Sequence, residues 1–311
     1  MKILFMGTPE FAVPCVKVLV EEGYDITGVV TQPDKPKGRG HKMTPPPVKE
    51  YAVTKDIPVY QPVKLKDNEF LQDLQDINPD LIIVVAYGKI LPKYILDYPK
   101  YGCINVHASL LPKYRGAGPI QWCIINGETE TGITTMYMDV GLDTGDMILK
   151  KSLSISEDET AGELHDRLSM LSAQVLKDTV RLIKKNAVPR QTQSDEQATY
   201  APMLDKSISR IDWSKPAAEI KNLVRGVNPW PIAYSIYKGQ TMKIWTVETG
   251  GEYPNETAGK IVDYIKNKGL VVTAGDKCGI IIREIQFEAG KRMTVDDYLR
   301  GHSIEIGEYM D

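Results

Sequence analysis

Asn105 and His107 lie two residues apart in the run Cys103-Ile-Asn-Val-His107, and further along comes an acidic, glycine-bearing segment, Asp139-Val-Gly-Leu-Asp143-Thr-Gly-Asp146. In a strand, alternate residues share a face, so the amide and the imidazole would project together. A strand buried on both faces should be apolar, and two polar side chains there are costly unless they have partners or a task. The run breaks at once into Ala108-Ser-Leu-Leu-Pro-Lys-Tyr-Arg-Gly-Ala-Gly-Pro119. Both residues therefore sit near the strand's C-terminal end, where open parallel sheets bind ligands. An amide N–H can donate to a developing oxyanion, and a carboxylate beside an imidazole favours the imidazolium and fixes its tautomer. Asn105, His107 and Asp143 thus have the chemistry for acyl transfer to an amine. Taken alone, the acidic segment would read as a metal site or a solvated turn, but its spacing does not match a calcium-binding EF-hand loop.

The flanking sequence must supply a scaffold. Lys2 to Met6 reads as a short buried strand, and a helix follows with Val13, Val16, Leu19 and Val20 on one stripe, ending near Gly23. Ile26 to Thr31 is a second strand, completing a strand–helix–strand unit of a parallel sheet. The first turn carries Gly7 without a G-x-G-x-x-G pattern, which disfavours a dinucleotide site. Further strands are expected at Leu81–Ala86, Gly102–His107, 132–140 and 150–155, with an amphipathic helix over 160–185. The strand over 132–140 should open at the same sheet edge as His107. Residues 1–187 form one domain on this reading, and the polar stretch 188–208 is a linker. Residues 209–311 form a second domain, with a helix near 216–225 and short alternating strands at 232–237, 241–247, 259–265, 269–273 and 278–286. Such spacing suggests a small β-barrel.

Residues 31–49, TQPDKPKGRGHKMTPPPVK, hold five prolines and two glycines, which should break both helix and strand. This loop follows a strand's C-terminal end, carries Lys35, Lys37, Arg39, Lys42 and Lys49 against Asp34 alone, and so could reach phosphates near the site. Over the whole chain the net charge is −3, which gives no bulk signature of a nucleic-acid binder. From residue 207 onward 14 Lys and Arg balance 14 Asp and Glu. The scattered Cys15, Cys103, Cys123 and Cys278 have neither disulfide nor metal-ligand spacing, so no metal is expected. Cys103 should face inward, and an acyl-thiol intermediate is not expected. No stretch approaches the ~18 apolar residues of a membrane span, and a cytoplasmic monomer with no membrane partner is the expectation.

The run NVHASLLPKYRGAGP followed by MDVGLDTGD resembles the 10-formyltetrahydrofolate-dependent formyltransferase family. GTPEFAVP near the start, VVAYGKILP at 84–92, IDWSKPAAEI and NPWP extend the resemblance over nearly the whole chain. It implies a Rossmann-like catalytic domain and an OB-like barrel, with formyl-folate as donor. It assigns catalysis to Asn105, His107 and Asp143, folate contacts to Ser109, Leu110, Leu111 and Pro112, and a pteridine pocket to Ile90 and Leu91. The position before Ser109, commonly glycine in the family, is Ala108. The run TQPDKPKGRG with PPPVK is similar to an inserted loop of those members that formylate methionine esterified to initiator tRNA, and it implies tRNA contacts at Arg39 and Lys42. A member acting on an amino sugar nucleotide is the alternative, against which that loop argues.

Overall fold

From Ile3 to Met6 every residue is apolar and fully buried, as a strand covered on both faces requires, and Lys2–Gly7 is strand β1 of the computed structural model, which describes residues 1–37 and 42–311. The chain divides into two units. The first comprises 1–116, 130–153 and 165–201, and the second 117–129, 154–164 and 202–311. Segments 117–129 and 154–164, which pattern alone places in the first domain, therefore group with the second.

In the first unit helix α1 (Val13–Glu21) leads to β2 (Asp25–Val30). A two-stranded hairpin, β3 (Lys35–Lys37) and β4 (Lys42–Thr44), precedes α2 (Pro47–Val53), β5 (Val59–Tyr60), α3 (Leu71–Ile77) and β6 (Leu81–Val85). The proline-rich loop is thus not without regular structure. Pro36 pairs opposite Met43 in a ladder of three pairs, and Pro47 begins a helix where its missing N–H is not needed. Arg39 lies outside the described residues, while Lys42 is exposed.

Helix α4 (Lys93–Leu96) and strand β7 (Cys103–His107) follow. After α5 (Pro119–Ile125) come β8 (Glu130–Tyr137), β9 (Met147–Ser154) and α6 (Ala161–Lys184). The sheet order is β5-β2-β1-β6-β7-β8-β9. Strands β5, β2, β1, β6 and β7 run parallel, and the chain order reverses direction between β1 and β6, the crevice where such sheets bind ligands. Helix α6 buries Leu168, Val175, Leu176, Val180 and Ile183 along one stripe.

The second unit has α7 (Ala217–Gly226), β10 (Tyr234–Tyr237), β11 (Gln240–Glu252), β12 (Ile261–Ile265), β13 (Gly269–Thr273), β14 (Cys278–Phe287), β15 (Met293–Thr294) and α8 (Val295–Leu299). Its strands pair antiparallel in the order β10-β11-β14-β13-β12, with β15 on β14. Residues 308–311 join the two edges of this sheet. Ile261 N–H donates to Glu308 O at 2.7 Å and Met310 N–H to Gly259 O at 2.8 Å, beside β12. Asp311 exchanges two bonds of 2.9 Å with Ile236 on β10. The sheet closes in the manner of a barrel, and edge groups that would otherwise seek partners are satisfied.

Candidate active site

Strand β7 is threaded between β6 and β8, with Asn105 opposite Val84 on one side and Met136 on the other. The sequence alternation holds. Cys103 packs among Leu91, Ile95 and neighbouring apolar side chains, and Asn105 and His107 follow it at every second position. Strand β8, however, runs antiparallel to β7, so Thr134 faces His107 and Tyr137 faces Ile104. Its C-terminal end lies at the opposite edge from His107, contrary to the parallel expectation. Asp143 nevertheless reaches the site because the turn after β8 folds back. Tyr137 N–H bonds Asp146 O at 2.9 Å, and Gly145 abuts the Tyr137 oxygen so closely that an added Cβ would stand 1.8 Å from it. Asp143 itself takes the left-handed conformation, φ +55°.

The three polar residues meet at one carboxylate. Asn105 Nδ2 donates to Asp143 Oδ1 at 3.3 Å, and Asp143 Oδ2 stands 3.7 Å from His107 Nδ1. Oδ2 also accepts the Gly116 N–H at 2.8 Å. The imidazole is buried and its Nε2 lies 2.8 Å from the main-chain oxygen of Tyr114. A carbonyl only accepts, so Nε2 carries the proton. That bond, not Asp143, sets the tautomer, which differs from the sequence expectation, because 3.7 Å exceeds hydrogen-bond reach. Nδ1 is left facing the carboxylate. Asn105 has a second amide hydrogen for a further acceptor. Tyr114 and Gly116 escape motif reasoning because they act through backbone groups. The only trace in the sequence is the glycine after Arg115, which the fold needs, since Gly116 has φ +112° and a Cβ there would lie 2.8 Å from Ala201 O.

The residues expected to contact folate divide by exposure. Ser109 is fully buried, its hydroxyl donating to Lys113 O at 2.7 Å. Leu111 packs with Met136 and Met147, while Leu110 and Pro112 are half-buried. In the loop after β6, Leu91 turns into the core and Ile90 is 88% exposed. That loop is tied to its neighbours by Tyr87 O, which accepts from Thr8 Oγ1 and from Gln32 Nε2, each at 3.1 Å. Lys49 Nζ grips both oxygens of Asp34 at 2.8 and 2.9 Å and Gln61 Oε1 at 2.7 Å, at the base of the hairpin. The Lys49 hydrogen bond, with that of Gln61, holds the Asp34 carboxyl below its ordinary range. Burial pushes the Cys103 thiol up to about 12, so it is protonated at neutral pH and unsuited to covalent catalysis.

A formyl transferase family model matches residues 1–180, and a model of the formyl transferase C-terminal domain matches 203–303. A methionyl-tRNA formyltransferase of Alkaliphilus oremlandii is 57% identical over 310 residues, covering 100% of this chain and 99% of that protein. One from Acetivibrio thermocellus is 55% identical over 311 residues, with 100% and 99% coverage. Among solved structures, an N-formyltransferase from Helicobacter canadensis in complex with folinic acid and dTDP-3-aminofucose superposes with a TM-score of 0.69. It covers 91% of this chain and 98% of its own at 20% identity, a likeness of fold.

Proposed function

The chain belongs to the formyl transferase family, and from that premise we propose that it transfers the formyl group of 10-formyltetrahydrofolate to the amino group of methionine esterified to initiator tRNA. The convergence of Asn105, His107 and Asp143 at one carboxylate carries the chemical part of this reading. The near-complete alignment with methionyl-tRNA formyltransferases at 57% and 55% identity supports the choice of acceptor.

The amine attacks the formyl carbon, and a tetrahedral intermediate develops with negative charge on oxygen. The free N–H of Asn105 stabilises that charge, as does His107 once its Nδ1 has taken the proton of the attacking amine. The proton lost by the attacking nitrogen passes to the leaving N10 as the carbon–nitrogen bond breaks, giving formylmethionyl ester and tetrahydrofolate. His107 serves this transfer through Nδ1, since Nε2 is committed to Tyr114 O. Asp143 orients the Asn105 amide and supplies negative charge opposite the imidazole. The folate lies against the loop after β6 and the turn after β7, where Ile90, Leu110 and Pro112 remain accessible and the buried Ser109, Leu111 and Leu91 shape the backbone. The basic segment 31–49, with Arg39 and Lys42, meets the acceptor end of the tRNA.

The test is transfer of labelled formyl from 10-formyltetrahydrofolate to methionyl-tRNA, wild type against His107→Ala. Loss of one preorganised donor typically lowers kcat by ~10²–10³. Equal single-turnover rates for the two proteins would remove His107 from the mechanism, and transfer to an amino sugar nucleotide in place of the tRNA would reassign the acceptor.

A further inference from the structure

We infer that Gln193 and Arg115 are positioning residues for the formyl-transfer centre, fixing the backbone that presents the Asp143 carboxylate to Asn105 and His107. Both side chains are buried, although Gln193 belongs to a stretch whose composition reads as a linker. Arg115 Nε donates to Gln193 Oε1 at 3.1 Å. A guanidinium only donates, so the amide oxygen must face it and the amide nitrogen must face away. Gln193 Nε2 then donates to Asp143 O at 2.7 Å and to Gly145 O at 2.9 Å, using both of its hydrogens.

This grip falls where it is needed. Asp143 is a non-glycine residue in the left-handed region, a conformation that persists only when the surroundings impose it. Gln193 holds its main chain, while the N–H of Gly116, adjacent to Arg115, holds its carboxylate. Arg115 is itself pinned, since its N–H donates to Thr199 O at 2.8 Å and its carbonyl accepts from Ala201 N–H at 2.7 Å. Its Nη1 reaches Asp195, which is largely exposed, and its Nη2 is buried with no hydrogen-bond partner among the described residues. A buried guanidinium with one unsatisfied nitrogen is a poor device for stability alone. As a strut it has a purpose: its fork fixes which way the Gln193 amide points. Neither residue touches the reacting atoms, and both act through Asp143.

The inference rests on the formyl-transfer reading, and Gln193→Met tests it. Methionine keeps the length and apolar packing of the side chain beside Met136, from whose sulfur Gln193 Nε2 is 3.8 Å, but donates nothing. Hydrogen bonds that orient functional side chains from behind, as those behind metal ligands do, typically contribute ~10- to 100-fold. A fall of that size in kcat is expected, with KM for both substrates changed by less than about twofold, a shifted pH profile of kcat, and cooperative thermal unfolding retained. Gln193→Glu, which can still accept from Arg115 but has no N–H for the two carbonyls, should fall equally. Wild-type kcat in Gln193→Met overturns the inference. So does a loss confined to proteins that no longer unfold cooperatively, since that assigns a purely structural role. Absence of formyl transfer by the wild type would instead sink the reading of the reaction itself.

Discussion

His107 Nε2 donates to the main-chain oxygen of Tyr114 at 2.8 Å, which leaves Nδ1 as the nitrogen turned toward Asp143. A neutral imidazole held in this way can have only one tautomer. Nitrogen-15 spectra of histidine-labelled protein should show His107 protonated at Nε2 in its neutral form. Signals of a protonated Nδ1 with a bare Nε2 would contradict the arrangement and with it the route of proton transfer through Nδ1.

Gly116 joins two requirements in one residue, a φ of +112° and a close approach to the Ala201 oxygen. Gly116→Ala should lose ~1–3 kcal/mol of stability from backbone strain. Because the Gly116 N–H bonds the Asp143 carboxylate, kcat should fall with it. Denaturant titration with unchanged m-value, paired with the formyl-transfer assay, measures both. An unaltered midpoint would mean the loop can relax without strain.

Cys103 should resist alkylation in the native protein near neutral pH, and Cys103→Ala should keep formyl-transfer activity. The thiol is pushed up to about 12 by burial from an ordinary 9.0, so the folded state holds its proton longer than the unfolded one. Stability should accordingly decline as pH rises from about 9 toward about 12, and the replacement should lessen that decline. Rapid native-state modification at neutral pH would show the thiol to be accessible and ionised.

The Lys49–Asp34 pair anchors the base of the β3–β4 hairpin. Lys49→Met should lower kcat/KM for charged tRNA by ~3- to 10-fold while leaving KM for the folate unchanged, as expected where binding of one substrate is affected. Asp34 sits below its ordinary carboxyl value in the folded protein. Its contribution is therefore full above the unfolded value near 3.8 and is lost as pH falls through the depressed folded one. An equal effect on both substrates would point to general loosening rather than to the hairpin.

Removal of residues 308–311 should open the β10 and β12 edges and uncover the apolar cluster, including Trp213 and Ile261, to which Met310 belongs. The truncated chain should show early proteolysis within residues 202–307 and a lowered thermal transition. Unchanged protease resistance would mean that the sheet holds its closure without this segment.

Much of the scaffold was legible because it is written in local periodicity. The apolar runs of β1 and β6, the stripe of α6, and the turn-punctuated strands from β10 to β14 each announce themselves within a few residues. The hairpin β3–β4 did not, since prolines argue against strands, and an edge pair tolerates Pro36 only because its missing N–H can face outward.

Within the site, sequence determined which side chains have the right chemistry, and the strand period alone put Asn105 and His107 on one face. Only the tertiary structure decided how Asp143 arrives. Strand β8 is antiparallel, so the acid comes by a fold-back with a left-handed residue rather than from a parallel strand end. Tertiary structure also brought in the Tyr114 carbonyl, the Gly116 N–H, and Gln193 from beyond α6. Residue type carries side-chain chemistry, but backbone groups are the same at nearly every position. Which of them meet a distant side chain is set by chain path and packing, and no local pattern encodes it.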